Sequence, residues 1–169
     1  MLKELKINKM KVNKIGLNDK KIVDLVDQLN HLLANYQVHY QKVRGCHWNV
    51  KGNDFFTLHV KFEELYNNAQ LTIDELAERI LTLGKSPFST YADYIKVSEI
   101  KEIVTENLAA EKMVEAILVD FKKLIAIERD VIENAANTAN DEGTADMIIG
   151  FMKFKEKTSW MLRAWVGTK

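Results

Sequence analysis

Residues 53–87 read NDFFTLHVKFEELYNNAQLTIDELAERILTLGKSP, and the spacing in this stretch decides the fold. Phe55, Leu58, Phe62, Leu65, Ala69, Ile73, Leu76, Ile80 and Leu83 recur at intervals of three and four, the period of about 3.6 that gives a helix one apolar face. Asn53 is placed to cap its start. Gly84 and the Ser86-Pro87 pair stop it. A helix this long with a single apolar stripe must bury that stripe against other helices.

The same pattern continues on both sides. A first helix is expected to start near Asn18, with Asp19 in its first turn. Its stripe is Ile22, Leu25, Leu29, Leu32, Tyr36 and Val43, and it ends around Val50 to Gly52. After Gly84, the connection Lys85 to Val97 contains Tyr91 and Tyr94 and has room for a short helix. Ser98 is expected to cap a third long helix carrying Val104, Val114, Ile117, Phe121, Leu124 and Ile132. Asn140 to Gly143 form a break. A fourth helix carries Met147, Phe151, Phe154, Met161 and Trp165. One proline and seven glycines favour long uninterrupted helices. The fold class is all-α: a four-helix bundle with a long crossover connection between helices 2 and 3, as in ferritin-like folds.

A chain of 169 residues suits one compact domain. The formal net charge is zero, so the whole protein has no strong bias toward polyanions. The charge is uneven, however. Residues 1–21 hold seven lysines against Glu4 and Asp19, which leaves about +5 on this segment and about −5 on the body. Helical periodicity is absent up to Leu17. Residues 1–17 therefore read as a flexible lysine-rich arm, and residues 18–169 as the bundle domain. Cys46 is the only cysteine, which excludes a disulfide within the chain and suits a reducing cytoplasm. No signal-peptide core follows the first lysines, and no apolar run is long enough to cross a membrane, so the expected location is cytoplasmic.

The chemistry concentrates on the second helix. His59 and Glu63 form one i,i+4 pair, and Asp74 and Glu78 form another, so each pair can offer both side chains to one ion. Imidazole with carboxylate and no thiolate suits iron, manganese or zinc. With His59 at 0°, Glu63 falls at about 40°, Asp74 at about 60° and Glu78 at about 100°. The apolar stripe centres near roughly −85°, so the ligand arc points about 135° away from the helix's own core. Glu63 and Asp74 are also roughly 16 Å apart along the axis, too far for one ion to take both from one chain. Either the helix carries two weak half-sites, or a second subunit completes them. A twofold axis near residues 68–69 sets the first pair opposite the partner's second pair and makes two equivalent shared sites. His47, at the end of the first helix beside Trp48, can reach the level of His59 through the short connection. The alternative is a solvated face with no metal. An intra-subunit di-iron site of the Glu-x-x-His type is disfavoured, because none of His31, His39, His47 and His59 has a glutamate three residues before it.

The segments His47-Trp48-Asn49-Val50-Lys51-Gly52, Phe55-Phe56-Thr57-Leu58-His59 and Asp74-Glu75-Leu76-Ala77-Glu78-Arg79-Ile80 closely resemble the Dps family, the DNA-binding proteins from starved cells. Gly84, Ser86-Pro87 and the final Trp160-Met161-Leu162-Arg163-Ala164 fit the same pattern, and the resemblance spans residues 18 to 166. It implies a hollow dodecamer of ferritin-like bundles with ferroxidase sites at twofold interfaces. His47, His59 and Glu63 would come from one subunit, and Asp74 and Glu78 from its neighbour. The implied chemistry is Fe(II) oxidation, with hydrogen peroxide preferred over dioxygen, and storage of ferric mineral that protects DNA. Glu63 departs from the family, which usually has Asp there. The resemblance gives Trp48 a supporting role in taking up an oxidising equivalent; simple packing is the other reading.

Two further features carry expectations. Asp141, Glu142 and Asp146 flank the fourth helix, where related subunits place a threefold pore; the competing reading is charge compensation at a helix start. Glu64 and Glu75 are weaker candidates for mineral nucleation. Lys3, Lys6, Lys9, Lys11 and Lys14 are candidate DNA contacts, because many copies of a basic arm on one particle bind by avidity. From other classes stand a nucleoid protein that compacts DNA with a secondary metal site, and a cage that binds zinc or another ion without redox turnover.

Overall fold

A computed structural model describes residues 12–167. Among them are five α-helices: α1 (Ile22–Asn49), α2 (Phe55–Thr82), α3 (Tyr91–Val97), α4 (Ala110–Asn134) and α5 (Glu142–Val166). The four long helices form the expected bundle. The short links at Val50–Asp54 and Ala135–Asp141 fold α1 back on α2 and α4 back on α5, and α1 also packs on α4. The core is a single apolar cluster that contains Ile22, Leu25, Leu29 and Leu32 of α1, with Leu58, Phe62 and Leu76 of α2. From α4 it receives Val114, Ile117, Phe121 and Leu124, and from α5 Ile148 and Leu162.

The element boundaries differ from expectation in several places. Asn18 does not begin α1: its Oδ1 accepts from the Lys20 and Lys21 amides at 3.0 and 3.4 Å and shapes a turn, and the helix starts at Ile22. Asp54 rather than Asn53 is the N-cap of α2, without a side-chain cap bond. Gly84, at φ 82°, lets the Lys85 amide reach back to the Ile80 carbonyl at 3.1 Å and closes α2 as expected. Ser98 does not start the third long helix. It closes α3, and α4 begins only at Ala110, which leaves Val104 82 % exposed on an irregular stretch. α4 runs into a π-helical turn at Ala135–Ala139, and Asn140 turns the chain at φ 53°. On α5, Phe154 and Met161 are exposed, and the buried positions include Ala145, Ile148, Lys155 and Leu162.

Buried asparagines fix the crossover to α1. Asn35 Oδ1 accepts from the amides of Glu99 and Ile100 at 3.0 and 3.1 Å and from Ser98 Oγ at 3.2 Å. Asn30 Oδ1 accepts from the Phe88 amide at 2.8 Å. The segment before α1 is also tied down in part: Asn13 Oδ1 accepts from the Leu17 amide at 2.9 Å, and Leu17 packs on the core. Residues 1–11 of the expected arm lie outside the described residues.

Two charged clusters sit inside the bundle. Asp120 receives His39 Nδ1 at 3.0 Å and Lys42 Nζ at 2.6 Å. Glu128 receives Tyr36 Oη at 2.8 Å and Lys155 Nζ at 2.6 Å. The Lys155 ammonium also donates to Tyr36 Oη and, at 2.7 Å, to the Phe151 carbonyl, so all three of its protons are used. Burial pushes the Glu128 carboxyl and the Tyr36 phenol up and the Lys155 ammonium down, and the mutual attraction of Glu128 and Lys155 only partly offsets this. Burial likewise pushes the Cys46 thiol up to about 12, which leaves it a neutral core residue.

Candidate metal centre

The α1–α2 corner brings His47 and His59 together. Their rings stack with centroids 3.8 Å apart and planes 22° from parallel. Each ring also meets the other residue's backbone: His47 Nδ1 lies 2.7 Å from the His59 carbonyl, and His59 Nδ1 lies 2.9 Å from the His47 carbonyl. A carbonyl oxygen only accepts, so both Nδ1 atoms carry a proton. In the neutral ring this tautomer puts the lone pair on Nε2, the form in which imidazole binds a metal. Phe55 stacks on His59 at 4.9 Å, and Tyr66 stands edge-on to His47 at 5.3 Å. His47 is buried and His59 half-buried.

The carboxylates lie where the angular argument puts them. Glu63, Asp74 and Glu78 are exposed, while Leu58, Phe62, Leu65, Ala69, Leu76 and Ile80 of the same helix are buried. Within one chain, and among the described residues, no three imidazole, carboxylate or thiol groups gather closely enough to hold an ion. The structure thus brings the two imidazoles together and leaves Glu63, and the Asp74–Glu78 pair, on the open face. Their positions are symmetric about a point between Asn68 and Ala69: His59 mirrors Glu78, Glu63 mirrors Asp74, and Phe56 mirrors Leu81. Phe56 is 83 % and Leu81 57 % exposed, so apolar side chains flank the ligand positions at both ends of this face.

The other candidates fall out differently. Trp48 is 57 % exposed, with the Arg44 guanidinium 4.8 Å over its ring, so it is not packed in the core. The aromatic ring edge-on to the imidazole is Tyr66, which the sequence reading did not single out. Glu64 pairs with Lys61, and Glu75 is exposed. Of the two readings of Asp141, its contacts favour the one at a helix start. The residue is 3 % exposed, accepts from the Thr144 amide at 3.0 Å as the N-cap of α5, and meets Arg79 Nη2 at 2.5 Å. A carboxylate so engaged is not free to line an opening; Glu142 and Asp146 are exposed. Lys3, Lys6, Lys9 and Lys11 lie outside the described residues, and Lys14 is exposed.

Comparison with known proteins agrees with the all-helical fold. Residues 26–168 match the Ferritin-like domain family. The chain is 42 % identical to DNA protection during starvation protein 2 of Bacillus anthracis, over 84 % of this chain and 96 % of that one. It superposes on the Dps protein of Vibrio cholerae O1, described as a member of a broad superfamily of ferritin-like diiron-carboxylate proteins, with a TM-score of 0.89 and 43 % identity. That match covers 94 % of this chain and 99 % of the other. The Dps of Staphylococcus aureus gives a TM-score of 0.82 at 42 % identity, over 86 % of this chain and 97 % of that one. With its all-helical bundle, its imidazole pair and these relatives, the chain belongs to the ferritin-like proteins and, among them, to the Dps family.

Proposed function

We propose that this protein is a ferroxidase and iron store whose catalytic centre is shared by two subunits. His47, His59 and Glu63 of one chain would face Asp74 and Glu78 of a second across a twofold axis between residues 68 and 69. The observation that carries this reading is the imidazole pair: two stacked rings, each held through Nδ1 by the other residue's carbonyl, at the edge of a face whose carboxylates repeat about that point. Neutral imidazoles and several carboxylates suit ferrous iron, and the carboxylates stabilise the ferric product more strongly. Iron is the substrate. Two ferrous ions give up one electron each, and hydrogen peroxide with two protons becomes two waters. The chain's part is to supply donors, hold the imidazoles in the metal-binding tautomer and exclude water at the flanks with Phe56 and Leu81. Peroxide is the preferred oxidant over dioxygen in this reading, and the mineral is kept in the cavity of a dodecamer.

The test is anaerobic Fe(II) loading followed by hydrogen peroxide, with ferric absorbance followed for the wild type beside Asp74→Ala. Rapid oxidation in the wild type that is lost in the variant is the expected result. Equal rates in both, no faster than protein-free buffer, would remove the ferroxidase. The basic arm supports a second activity, DNA binding by many copies of the Lys3, Lys6, Lys9, Lys11 and Lys14 segment on one particle. Retention on DNA at low salt that is lost at raised salt is expected; failure to bind at low salt ends that reading.

A further inference from the structure

Arg79 follows Glu78 on α2 but is turned toward the bundle's end, not its open face. Its Nη2 meets Asp141 Oδ1 at 2.5 Å, and its Nε donates to Thr144 Oγ1 at 2.7 Å. Thr144 Oγ1 donates in turn to Asp141 Oδ2 at 2.5 Å. Asp141 and Thr144 are buried, and both belong to the first turn of α5. A Cβ on Gly143 would sit 3.3 Å from Arg79 Nη2, so that position leaves room for the guanidinium. One planar fork therefore ties the last turns of α2 to the start of α5, with two donors on two acceptors.

Those last turns carry half of the proposed metal site. α2 ends at Thr82, four residues past Glu78, in the region where helices fray. The Glu78 and Asp74 side chains are exposed, and among the described residues nothing positions them apart from the helix that carries them. A ligand half-site presented to a second subunit needs its backbone fixed, because a displacement of about 1 Å is enough to spoil such geometry.

We infer that Arg79, held by Asp141 and Thr144, is a positioning residue for the Asp74–Glu78 half of the metal site; the inference rests on the shared-site reading above. It gives Asp141 a role other than lining a pore. It also makes the N-terminus of α5, where Glu142 and Asp146 are exposed, mechanically continuous with the ligand-bearing end of α2.

The experiment is an anaerobic titration of the assembled, metal-free, full-length protein with Co(II), read from the visible ligand-field spectrum. The variants are Arg79→Gln, Asp141→Asn, Asp74→Ala and, as a control, Arg129→Gln, which removes an exposed ion pair between α4 and α5. Asp141→Asn keeps an acceptor for the Thr144 amide, and it removes the charge that faces Arg79 together with the oxygen that accepts from the Thr144 hydroxyl. It therefore decides the question even if Arg79→Gln does not assemble. Expected are loss of the Co(II) band in Asp74→Ala and wild-type behaviour in Arg129→Gln. Arg79→Gln and Asp141→Asn should bind Co(II) about tenfold or more weakly, with an altered band shape and unchanged circular dichroism. Wild-type affinity and spectrum in both, with the band lost in Asp74→Ala, would overturn the positioning role and leave the shared site standing. Wild-type Co(II) binding in Asp74→Ala would overturn the site itself, and this inference with it.

Discussion

Two backbone oxygens determine how the imidazoles can act. Because the carbonyls of His47 and His59 each accept from the other residue's Nδ1, neither ring can place its proton on Nε2 without breaking that bond. In the neutral rings this places the lone pairs on Nε2, the atoms that the proposed site would use. In the proposed site Glu63 is the third donor of this half, one turn beyond His59, and it is one methylene longer than the aspartate usual in the family. On an exposed helix face the extra length is taken up by rotamer change, so Glu63→Asp should keep peroxide-driven Fe(II) oxidation within about threefold of wild type. Glu63→Ala should lose more than the roughly tenfold to hundredfold typical of a supporting residue. Stopped-flow ferric absorbance checks both, and equal activity in Glu63→Ala would remove Glu63 from the ligand set. The i,i+4 pairs were legible in the sequence because ligand spacing on a helix is local. The mutual hold between each imidazole and the other's carbonyl was not, because every residue has a carbonyl. The two readings of Asp141 stayed open for a related reason: a capping acid and a pore acid look alike until Arg79, 62 positions away, is seen beside it.

Periodicity located the long helices, and departures occur where tertiary contacts outweigh local signals. Ser98 has the composition of an N-cap, yet its hydroxyl is buried and bonded to Asn35 Oδ1 and the Ile100 carbonyl. The stretch up to Ala109 is thereby held against α1 as irregular chain instead of entering a helix. Gly45 permits this approach, since a Cβ there would lie 2.9 Å from Thr105 Oγ1. Lys155 is the other departure: a lysine at a core position of α5, facing Glu128 of α4 and Tyr36 of α1. Burial holds Glu128 above its ordinary range and Lys155 below, so desolvation offsets much of what their attraction contributes. Lys155→Met leaves the carboxylate buried without its cation and should cost about 3–5 kcal/mol at neutral pH. The sign of the pH effect follows from the raised Glu128 pKa, which goes higher still when the ammonium is gone. A carboxyl whose pKa is raised by folding adds stability below its unfolded value, and that stability is lost as pH rises through the folded value. The melting deficit of Lys155→Met relative to wild type should therefore shrink as pH falls from 7 toward the ordinary carboxylate range. A deficit constant with pH would mean that Glu128 is not the group left unpaired.

At the scale of the whole molecule, the bundle leaves α2 with an open face that is incomplete in one chain. Imidazoles stand near its start, carboxylates near its end, and Phe56 and Leu81 are exposed at its two extremes. An isologous contact between two such faces satisfies every position at once, because each element of the pattern meets its mirror in the partner. That arrangement can be distinguished from any site built within one chain by mixing two defective proteins. His59→Ala lacks an imidazole, and Asp74→Ala lacks a carboxylate, so each assembles only broken sites by itself. In a mixed dimer, one site loses both groups, while the other takes His59 from one subunit and Asp74 from its neighbour and is whole. Random co-assembly makes about half of the dimers mixed, with one intact site in each, so refolded mixtures should regain about a quarter of wild-type Fe(II) oxidation. Mixing the same proteins without dissociation should regain none. A site contained in one chain predicts no recovery under either protocol, because no single subunit in the mixture has both residues.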